Sequence, residues 1–261
     1  MANSLSRRSF VGILGGSAAL MGLGLAGCGS DSGSGSGKSY IVATDTTFAP
    51  FEFTNDQNEF VGIDVDILAA CAEVAGFDYE LQSLGFDAAV AALESNQADA
   101  VIAGMSITEE RQEKYDFSDP YYDSYVCAAQ KAGGSVTSLE ALSGQAVACK
   151  TGTQSASWAE SIKDEYGFTI NYFDSSDMMY QDVLTGNTAA CFEDYPVMAY
   201  GVAQGNGLEI FAEDSDEFSS PYGFAVLKGQ NAELLQGFND GLAEIRSNGT
   251  YDEIIAKYLE A

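Results

Sequence analysis

Residues 100–122 read AVIAGMSITEERQEKYDFSDPYY, and this stretch decides the fold class. Its first four residues are continuously apolar, which predicts a buried strand. Gly104 and Ser106 follow, and Thr108 then opens a short helix that contains Arg111. A buried strand that leads through a polar loop into a helix is one βα unit.

Apolar runs and helical patterns alternate along the rest of the chain in two series. We expect strands at residues 40–44, 79–81, 100–103, 126–130, 146–149, 169–173, 189–192 and 222–226. We expect helices at residues 64–75, 87–93, 108–111, 154–166, 177–184, 197–202, 232–246 and 251–258. This alternation predicts an α/β fold with mostly parallel sheets covered on both faces. Because each series contains one sheet's worth of strands, we infer two lobes with a small-ligand cleft between them.

The composition argues against several classes of function. Of 261 residues, 39 are Asp or Glu, 11 are Lys or Arg and none is His. A net charge of -28 argues against nucleic acid, since a phosphate backbone requires a basic footprint. The lack of histidine removes Ser-His-Asp triads, Cys-His pairs and histidine metal ligands. We therefore expect neither a cofactor nor a metal.

The first 27 residues have the features of an export signal. Arg7 and Arg8 precede a glycine-rich apolar run at residues 10–26, which is too short for a good membrane span. The two arginines also permit twin-arginine export, and the choice between that route and general secretion stays open. Removal of residues 1–27 takes away two arginines and no acid, so the net charge becomes -30.

The end of this segment, Leu25-Ala26-Gly27-Cys28, resembles the bacterial lipobox. The resemblance implies that the Cys28 thiol receives diacylglycerol and becomes the first residue of the mature protein. Residues 28–37 are nearly all Gly and Ser, which predicts a flexible tether. We expect a protein anchored by lipid to the outer face of the cell membrane.

Four further cysteines, Cys71, Cys127, Cys149 and Cys191, each lie in an apolar stretch. An even number of cysteines in an exported protein permits disulfides. The apolar flanks favour buried free thiols instead, because such thiols behave as small hydrophobic side chains. The spacing alone leaves the pairing open.

Polar and aromatic residues stand after the predicted strands, at the ends that face the cleft. They are Asp45, Phe48, Gly104, Ser106, Arg111, Lys150, Thr153, Gln154 and Asp194. An arginine guanidinium binds a carboxylate with two hydrogen bonds, and the free N–H groups of a helix start bind anions. A carboxylate such as Asp194 binds an ammonium group, so the set suits a zwitterion.

Each of these residues also has an ordinary structural interpretation. Arg111 can form an ion pair with Glu109, and Lys150 can balance the charge of Glu193. Phe48 and Phe86 can be buried in the core, and Thr153 and Asp194 can cap helices. The order of the residues along the chain is more informative than any one of them.

That order resembles the bacterial extracellular solute-binding proteins of family 3, the receptors of ABC transporters for polar amino acids, and most closely the glutamine-binding type. The resemblance runs from residue 39 to the C-terminus. It rests on six motifs: VATDTTFAPFEF at 42–53, VGIDVD at 61–66, AGMSITEER at 103–111, DFSDPYY at 116–122, KTGTQS at 150–155 and EDYPV at 193–197.

The resemblance also implies a role for each site residue. It implies that Arg111 binds the α-carboxylate, together with backbone donors near Ser106 and Gln154. It implies that the α-ammonium is bound by Gly104, Ser106 and Asp194. It implies an aromatic clamp formed by Phe48 and Phe86, and contacts to the ligand side chain from Asp45 and Lys150. Two departures weaken the assignment of a particular amino acid. Glu193 stands where glutamine-specific members have histidine, and Gln154 resembles the basic-amino-acid binders.

By the same resemblance the fold is the two-lobe periplasmic-binding-protein type II fold. Lobe 1 is expected at residues 38–120 and 223–261, lobe 2 at 126–217, and two hinge strands at 121–125 and 218–222. A ligand that bridges the lobes shifts an open population to a closed one. The implied partners are a free amino acid, an ABC permease and, through Cys28, the bilayer, and we expect a monomer.

The pair Asp45 and Lys150 favours glutamine, because a carboxamide donates to the acid and accepts from the ammonium. Glutamate, cystine and basic amino acids stay open as ligands, the last if Glu193 neutralises Lys150. A lipid-tethered sensory or adhesive module stays open as a function. A dehydratase or lyase in which Glu193 and Asp194 act as acid and base is disfavoured, since adjacent strand residues point to opposite faces.

Overall fold

The structure is a computed structural model that describes residues 39–259. The predicted export signal, Cys28, the tether at 28–37 and residues 38, 260 and 261 of the predicted lobe 1 lie outside these residues. Within residues 39–259, no helix combines the length and the apolar character needed to cross a bilayer.

The described chain alternates strands and helices. The strands are β1 (Ser39–Thr44), β2 (Phe53–Thr54), β3 (Phe60–Val61), β4 (Asp78–Ser83), β5 (Ala100–Val101), β6 (Tyr115–Phe117), β7 (Val126–Lys131), β8 (Ala146–Lys150), β9 (Thr169–Phe173), β10 (Cys191–Asp194), β11 (Leu208–Asp214) and β12 (Ala225–Leu227). The helices are α1 (Ile63–Ala75), α2 (Phe86–Glu94), α3 (Glu109–Lys114), α4 (Gln154–Tyr166), α5 (Ser176–Thr185), α6 (Tyr195–Ala203), α7 (Ala232–Ser247) and α8 (Thr250–Leu259), with a 3₁₀ turn at Leu139–Leu142.

The first lobe contains a five-stranded sheet in the order β4-β1-β5-β12-β6. Strand β1 is parallel to β4 and β5, whereas β12 is antiparallel to β5 and β6. Successive β1 residues enter different cores: Val42 packs with α1, α7 and α8, and Ala43 packs with α2. The sheet is therefore covered on both faces, as its continuous apolar strands predict. Because β12 comes late in the chain, this lobe is built from two separate segments.

The second lobe contains a five-stranded sheet in the order β11-β7-β10-β8-β9. Strand β8 is parallel to β9 and β10, and β7 is antiparallel to β10 and β11. Trp158 of α4 packs in one core, while Met179 of α5 and Met198 of α6 pack in another. The α/β prediction with two lobes is confirmed.

The cysteines Cys71, Cys127, Cys149 and Cys191 are all buried with free thiols. They lie at 0% exposure among apolar side chains of the two lobes. The prediction of buried, unpaired thiols is confirmed.

The two segments that cross between the lobes differ from the prediction of hinge strands at 121–125 and 218–222. They run side by side through isolated antiparallel bridges, with Tyr222 opposite both Tyr122 and Ser106. Single backbone bonds continue the contact, from the Tyr121 N–H to the Tyr222 carbonyl at 2.9 Å and from the Ser220 N–H to the Ser124 carbonyl at 2.9 Å. Pro221 offers no N–H, which interrupts a regular ladder. The strand expected at 222–226 accordingly begins only at Ala225.

Candidate ligand site between the lobes

A small cavity lies where the two sheets present their strand ends to each other. Its empty volume is about 210 Å³, which is smaller than a drug-sized pocket and restricts the site to a small molecule. The lining residues are Phe48, Phe86, Ala103, Gly104, Ser106, Arg111, Lys150, Thr153, Gln154 and Asp194. Nine of the ten sequence-predicted residues thus line one cavity, and the tenth, Asp45, is bonded to Lys150.

Arg111 spans the cleft from α3. Its Nη1 donates to the Ser106 carbonyl at 2.9 Å, and its Nη2 donates to the Gly152 carbonyl of the other lobe at 3.0 Å. Both acceptors are neutral carbonyls, and within residues 39–259 no ion pair joins Arg111 to Glu109. Burial lowers the pKa of the guanidinium, an effect that nearby Asp194 opposes. Since guanidinium has five N–H donors, several are left for an anion in the cavity.

The Arg111 guanidinium also lies 5.4 Å from the centroid of the Phe86 ring. Phe86 begins α2 and is 5% exposed, so it belongs to the core and to the cavity wall at once. The ordinary interpretation of this ring as a core residue is therefore compatible with a place in the cavity wall.

Lys150, at the end of β8, is fully buried and paired with Asp45 across the cleft. The distance from Nζ to the Asp45 Oδ2 is 2.6 Å, and the two side chains are 1% and 0% exposed. Burial alone lowers the pKa of Lys150, but the attraction of Asp45, followed by that of Glu193, outweighs it and the pKa rises. The ammonium also lies 4.2 Å from the Phe48 ring centroid, within the range of a cation–π contact.

Glu193 does not take the role of partner to Lys150. One carboxylate oxygen accepts from Ser176 at 2.8 Å and from Tyr180 at 2.9 Å, and the other accepts from the Asp194 N–H at 3.0 Å. Lys150 therefore balances Asp45, and the proposed charge balance with Glu193 is a long-range effect only.

Asp194 stands at the start of α6 but does not cap it with its side chain. Its Oδ2 accepts from the Tyr222 hydroxyl at 2.7 Å, and its Oδ1 is buried without a hydrogen-bond partner among the described residues. Burial, with help from Glu193, raises the pKa of Asp194 to about 7. A cationic N–H in the cavity would satisfy the second oxygen.

Gly104 brings the backbone of the first lobe close to the Phe48 ring. Its φ is +53°, and a Cβ atom there would lie 2.4 Å from a Phe48 ring carbon. Only glycine fits both the left-handed backbone and the close approach. Phe48 itself is 3% exposed and packs in the core as well as in the cavity wall.

Thr153 caps α4, with its hydroxyl oxygen accepting from the Ala156 N–H at 3.2 Å. The Gln154 amide donates to the Ser220 hydroxyl at 3.0 Å. The start of α4 thus lines the cavity through Thr153 and Gln154, where the first N–H groups of a helix lack partners within the helix, while the Gln154 side chain fastens this loop to a crossing segment.

The contacts across the cleft describe a closed arrangement. Lys150 and Gly152 come from the second sheet's strand end, and their partners Asp45 and Arg111 come from the first lobe. A further contact joins Phe53 of β2 to Tyr200 of α6, with ring centroids 6.5 Å apart.

The sequence interpretation missed three residues of this region. Tyr222 was assigned to a strand, yet its hydroxyl holds Asp194. Glu52 and Asp64 are fully buried acids behind the cavity loops, although their motifs at 42–53 and 61–66 were noticed. The signal that could have found the two acids is an ionisable residue inside an otherwise apolar pattern.

Comparison with known proteins identifies the family of this chain. Residues 40–261 match the bacterial extracellular solute-binding proteins, family 3. The chain belongs to this family. The arginine-binding extracellular protein ArtP of Bacillus subtilis (strain 168) is 32% identical over 224 residues, covering 85% of this chain and 86% of ArtP.

Solved structures of similar proteins have the same two-lobe fold. An ancestral arginine-binding protein bound to arginine is 36% identical, with a TM-score of 0.76 over 85% of this chain and 98% of its own. An ancestral arginine-binding protein bound to glutamine is 35% identical, with a TM-score of 0.76 over 85% of this chain and 98% of its own. Substrate binding domain 2 of Lactococcus lactis GlnP in an open conformation is 40% identical over 85% of this chain and 96% of its own, but its TM-score is 0.57. The lower TM-score of that open structure, despite its higher sequence identity, agrees with the closed arrangement of this chain.

Proposed function

We propose that this protein captures a free polar amino acid in the cleft between its lobes and delivers it to an ABC permease. The observation that carries the proposal is the cavity of about 210 Å³ in which Arg111, Asp194 and the start of α4 converge. One cation and one helix start suit a carboxylate, and one acid with a free oxygen suits an ammonium.

Arg111 is the proposed carboxylate ligand. Its two carbonyl bonds fix the plane of the guanidinium, and the remaining N–H groups are directed by that plane. The N–H groups of Gln154 and the neighbouring first turn of α4 add donors from the other lobe, so a carboxylate between them joins both lobes.

Asp194 is the proposed ammonium ligand, assisted by Gly104 and Ser106. The unpartnered Oδ1 is costly in a buried position, and an ammonium N–H removes that cost. Because Oδ2 is already held by Tyr222, the carboxylate is oriented before the ligand arrives.

Glutamine is the proposed ligand, because the side-chain end of the cavity offers Lys150 with Asp45 behind it. A carboxamide oxygen accepts from the ammonium, and its NH₂ group donates to the Asp45 carboxylate without adding net charge. Glutamate ranks second, since its negative charge gains from Lys150 but is repelled by Asp45. Cystine ranks lower, since it brings a second ammonium and a second carboxylate to this end.

Arginine is a further candidate, favoured by the names of the relatives and by the acids near Lys150. A guanidinium would have to displace the 2.6 Å contact between Lys150 and Asp45, or approach a buried ammonium. We therefore place basic amino acids below glutamine and glutamate.

A catalytic role is not proposed. An acid–base pair requires both groups at one reacting centre, but Glu193 is bonded to Ser176 and Tyr180 while Asp194 is bonded to Tyr222. Their side chains diverge, as neighbours on a strand do.

The remaining parts of the proposal concern delivery. Export by the signal at 1–27, lipid attachment at Cys28 and a flexible tether at 28–37 would hold a monomer at the outer face of the membrane, near its permease. We propose that residues 121–125 and 218–222 form the hinge between lobe 1 (38–120 and 223–261) and lobe 2 (126–217). Their few bridging bonds leave room for rotation.

Calorimetric titration of the exported protein with glutamine, glutamate, asparagine, arginine and cystine tests this proposal. We expect heat from glutamine at the lowest concentration, and no binding of glutamine to Arg111→Ala. Lys131→Met, an exposed substitution at the end of β7, serves as the control for a lost cation. Tightest binding to arginine would overturn the glutamine assignment, and binding of no amino acid would overturn the function.

A further inference from the structure

Two buried acids of the first lobe stand directly behind the loops of the cavity. Glu52 and Asp64 are both 0% exposed. Asp64 Oδ2 accepts from the Gly104 N–H at 2.8 Å and from the Tyr121 hydroxyl at 2.8 Å. The other three oxygens, Oδ1 of Asp64 and both of Glu52, find no N–H or hydroxyl donor among residues 39–259. Three orphaned carboxyl oxygens at one buried place require an explanation.

The backbone brings the two acids together, since the Asp64 N–H donates to the carbonyl of Phe51, the residue before Glu52, at 2.9 Å. After burial, the charge of Asp64 is the next largest cause that raises the pKa of Glu52. The other ionisable groups that act on Glu52 are Asp45, which adds negative charge, and Lys150, which offsets part of it. Two adjacent carboxylates in a dry site cannot both ionise at low cost.

We propose that Glu52 and Asp64 share one proton, and that this carboxyl pair positions the two cavity loops of the first lobe. Glu52 is the neutral member and donates to Asp64 Oδ1. Asp64 keeps its charge and holds Gly104 and Tyr121 through Oδ2.

The pair connects parts of the site that are far apart in sequence. The Glu52 carbonyl accepts from the Phe48 N–H at 2.8 Å, so Glu52 closes the turn that carries the Phe48 ring. Asp64 holds the backbone of Gly104, whose Cα lies against that same ring. Tyr121 begins the crossing segment between the lobes. A single shared proton thus fastens the Phe48 turn to the Gly104 loop and to the proposed hinge.

The pair makes stability depend on pH in a direction opposite to that of a salt-bridged acid. Burial, and then the charge of Asp64, raises the pKa of Glu52 well above the ordinary 4.5. Burial also raises the pKa of Asp64 to about 6. The folded protein therefore binds the proton more tightly than the unfolded chain, and stability falls as the pH rises above 4.5 towards the raised pKa.

Glu52→Gln is the decisive variant, because the amide donates to Asp64 Oδ1 at every pH and cannot ionise. The melting temperature of Glu52→Gln relative to the parent should increase as the pH rises from about 5 to 8. Glu73→Gln, on the exposed side of α1, removes the same charge without touching the pair and should show a constant difference. In the infrared spectrum at neutral pH, the parent should show a protonated-carboxyl band that is absent in Glu52→Gln.

The effect on ligand binding rests on the proposed function, whereas the spectrum and the melting curves do not. Glu52→Gln should keep the parent's affinity for glutamine, and Glu52→Ala should weaken it by roughly 5- to 150-fold, the effect of leaving a buried acceptor unsatisfied. If the parent binds no glutamine, the proposed function fails while the carboxyl pair is still tested. Absence of a Glu52-dependent infrared band, or a melting difference that does not change with pH, would overturn the pair.

Discussion

Replacement of Lys150 by methionine is the sharpest test of the site, because it removes a charge and keeps most of the side-chain volume. In the closed structure it leaves Asp45 at 0% exposure, and among residues 39–259 its carboxylate keeps only the Thr46 N–H, at 2.6 Å, as a donor. When the lobes separate, Asp45 is returned to water, since Lys150 belongs to the opposite lobe. The substitution therefore penalises the closed state more than the open one.

The size of the penalty follows from the burial of both partners. Removing one member of a buried ion pair typically costs about 3–5 kcal/mol. If the full penalty falls on closure, the dissociation constant for glutamine rises by about 150- to 4,000-fold. Arginine behaves differently, because its guanidinium supplies the positive charge that Asp45 has lost. The ratio of arginine to glutamine affinity should therefore increase.

Calorimetry on Lys150→Met, Asp45→Asn and the double variant measures this directly. The double variant removes both charges, so its loss for glutamine should be smaller than the sum of the two single losses. Lys131→Met should bind as the parent does. Parent-like glutamine affinity in Lys150→Met, or strictly additive losses in the double variant, would refute the inter-lobe pair as a determinant of closure and of ligand choice.

Three further outcomes are expected. Arg111→Lys should raise the dissociation constant for glutamine by roughly 30-fold or more in calorimetry, because an ammonium point charge does not reproduce the planar guanidinium. Parent-like binding would remove Arg111 from the site. Because the pKa of Asp194 is raised to about 7, its carboxylate becomes protonated below that pH, and the affinity for glutamine should fall by up to about tenfold per pH unit below 7. The proton released on binding should appear in calorimetry as a binding enthalpy that depends on the buffer. An affinity that does not change with pH would contradict the assignment of Asp194 to the ammonium group. Cys28→Ala should leave the precursor unprocessed or release the protein from membranes in detergent partitioning, whereas an unmodified Cys28 in the mature mass would contradict lipid attachment.

The sequence was most informative where one geometric rule applies, namely that the ends of parallel strands meet at one edge. Asp45, Gly104 and Lys150 follow strands in two different series, and this rule alone predicts that they face one cleft. The cavity lining confirms it for Gly104 and Lys150, and the contact with Lys150 brings in Asp45.

The sequence was least informative where a strand departs from regular pairing. Strand β11, Leu208–Asp214, was not predicted, and its register shifts between Ile210 and Ala212 where it pairs with β7. Such a bulge breaks the alternation on which strand prediction depends. Strands β2 and β3 have two residues each, which is too short for any periodicity to show.

Charge pairing is the part of the site that no local pattern determines. The sequence offers Asp45, Lys150 and Glu193 as three charges near one cleft, but Asp45 and Lys150 are 105 residues apart. Which acid meets the cation depends on what else satisfies each acid. Ser176 and Tyr180 already donate to Glu193, so Lys150 is left to Asp45. From sequence, Glu193 made a basic ligand plausible, but its carboxylate is bonded to hydroxyl groups of its own lobe. The Lys150 ammonium therefore continues to favour a ligand side chain with an acceptor oxygen.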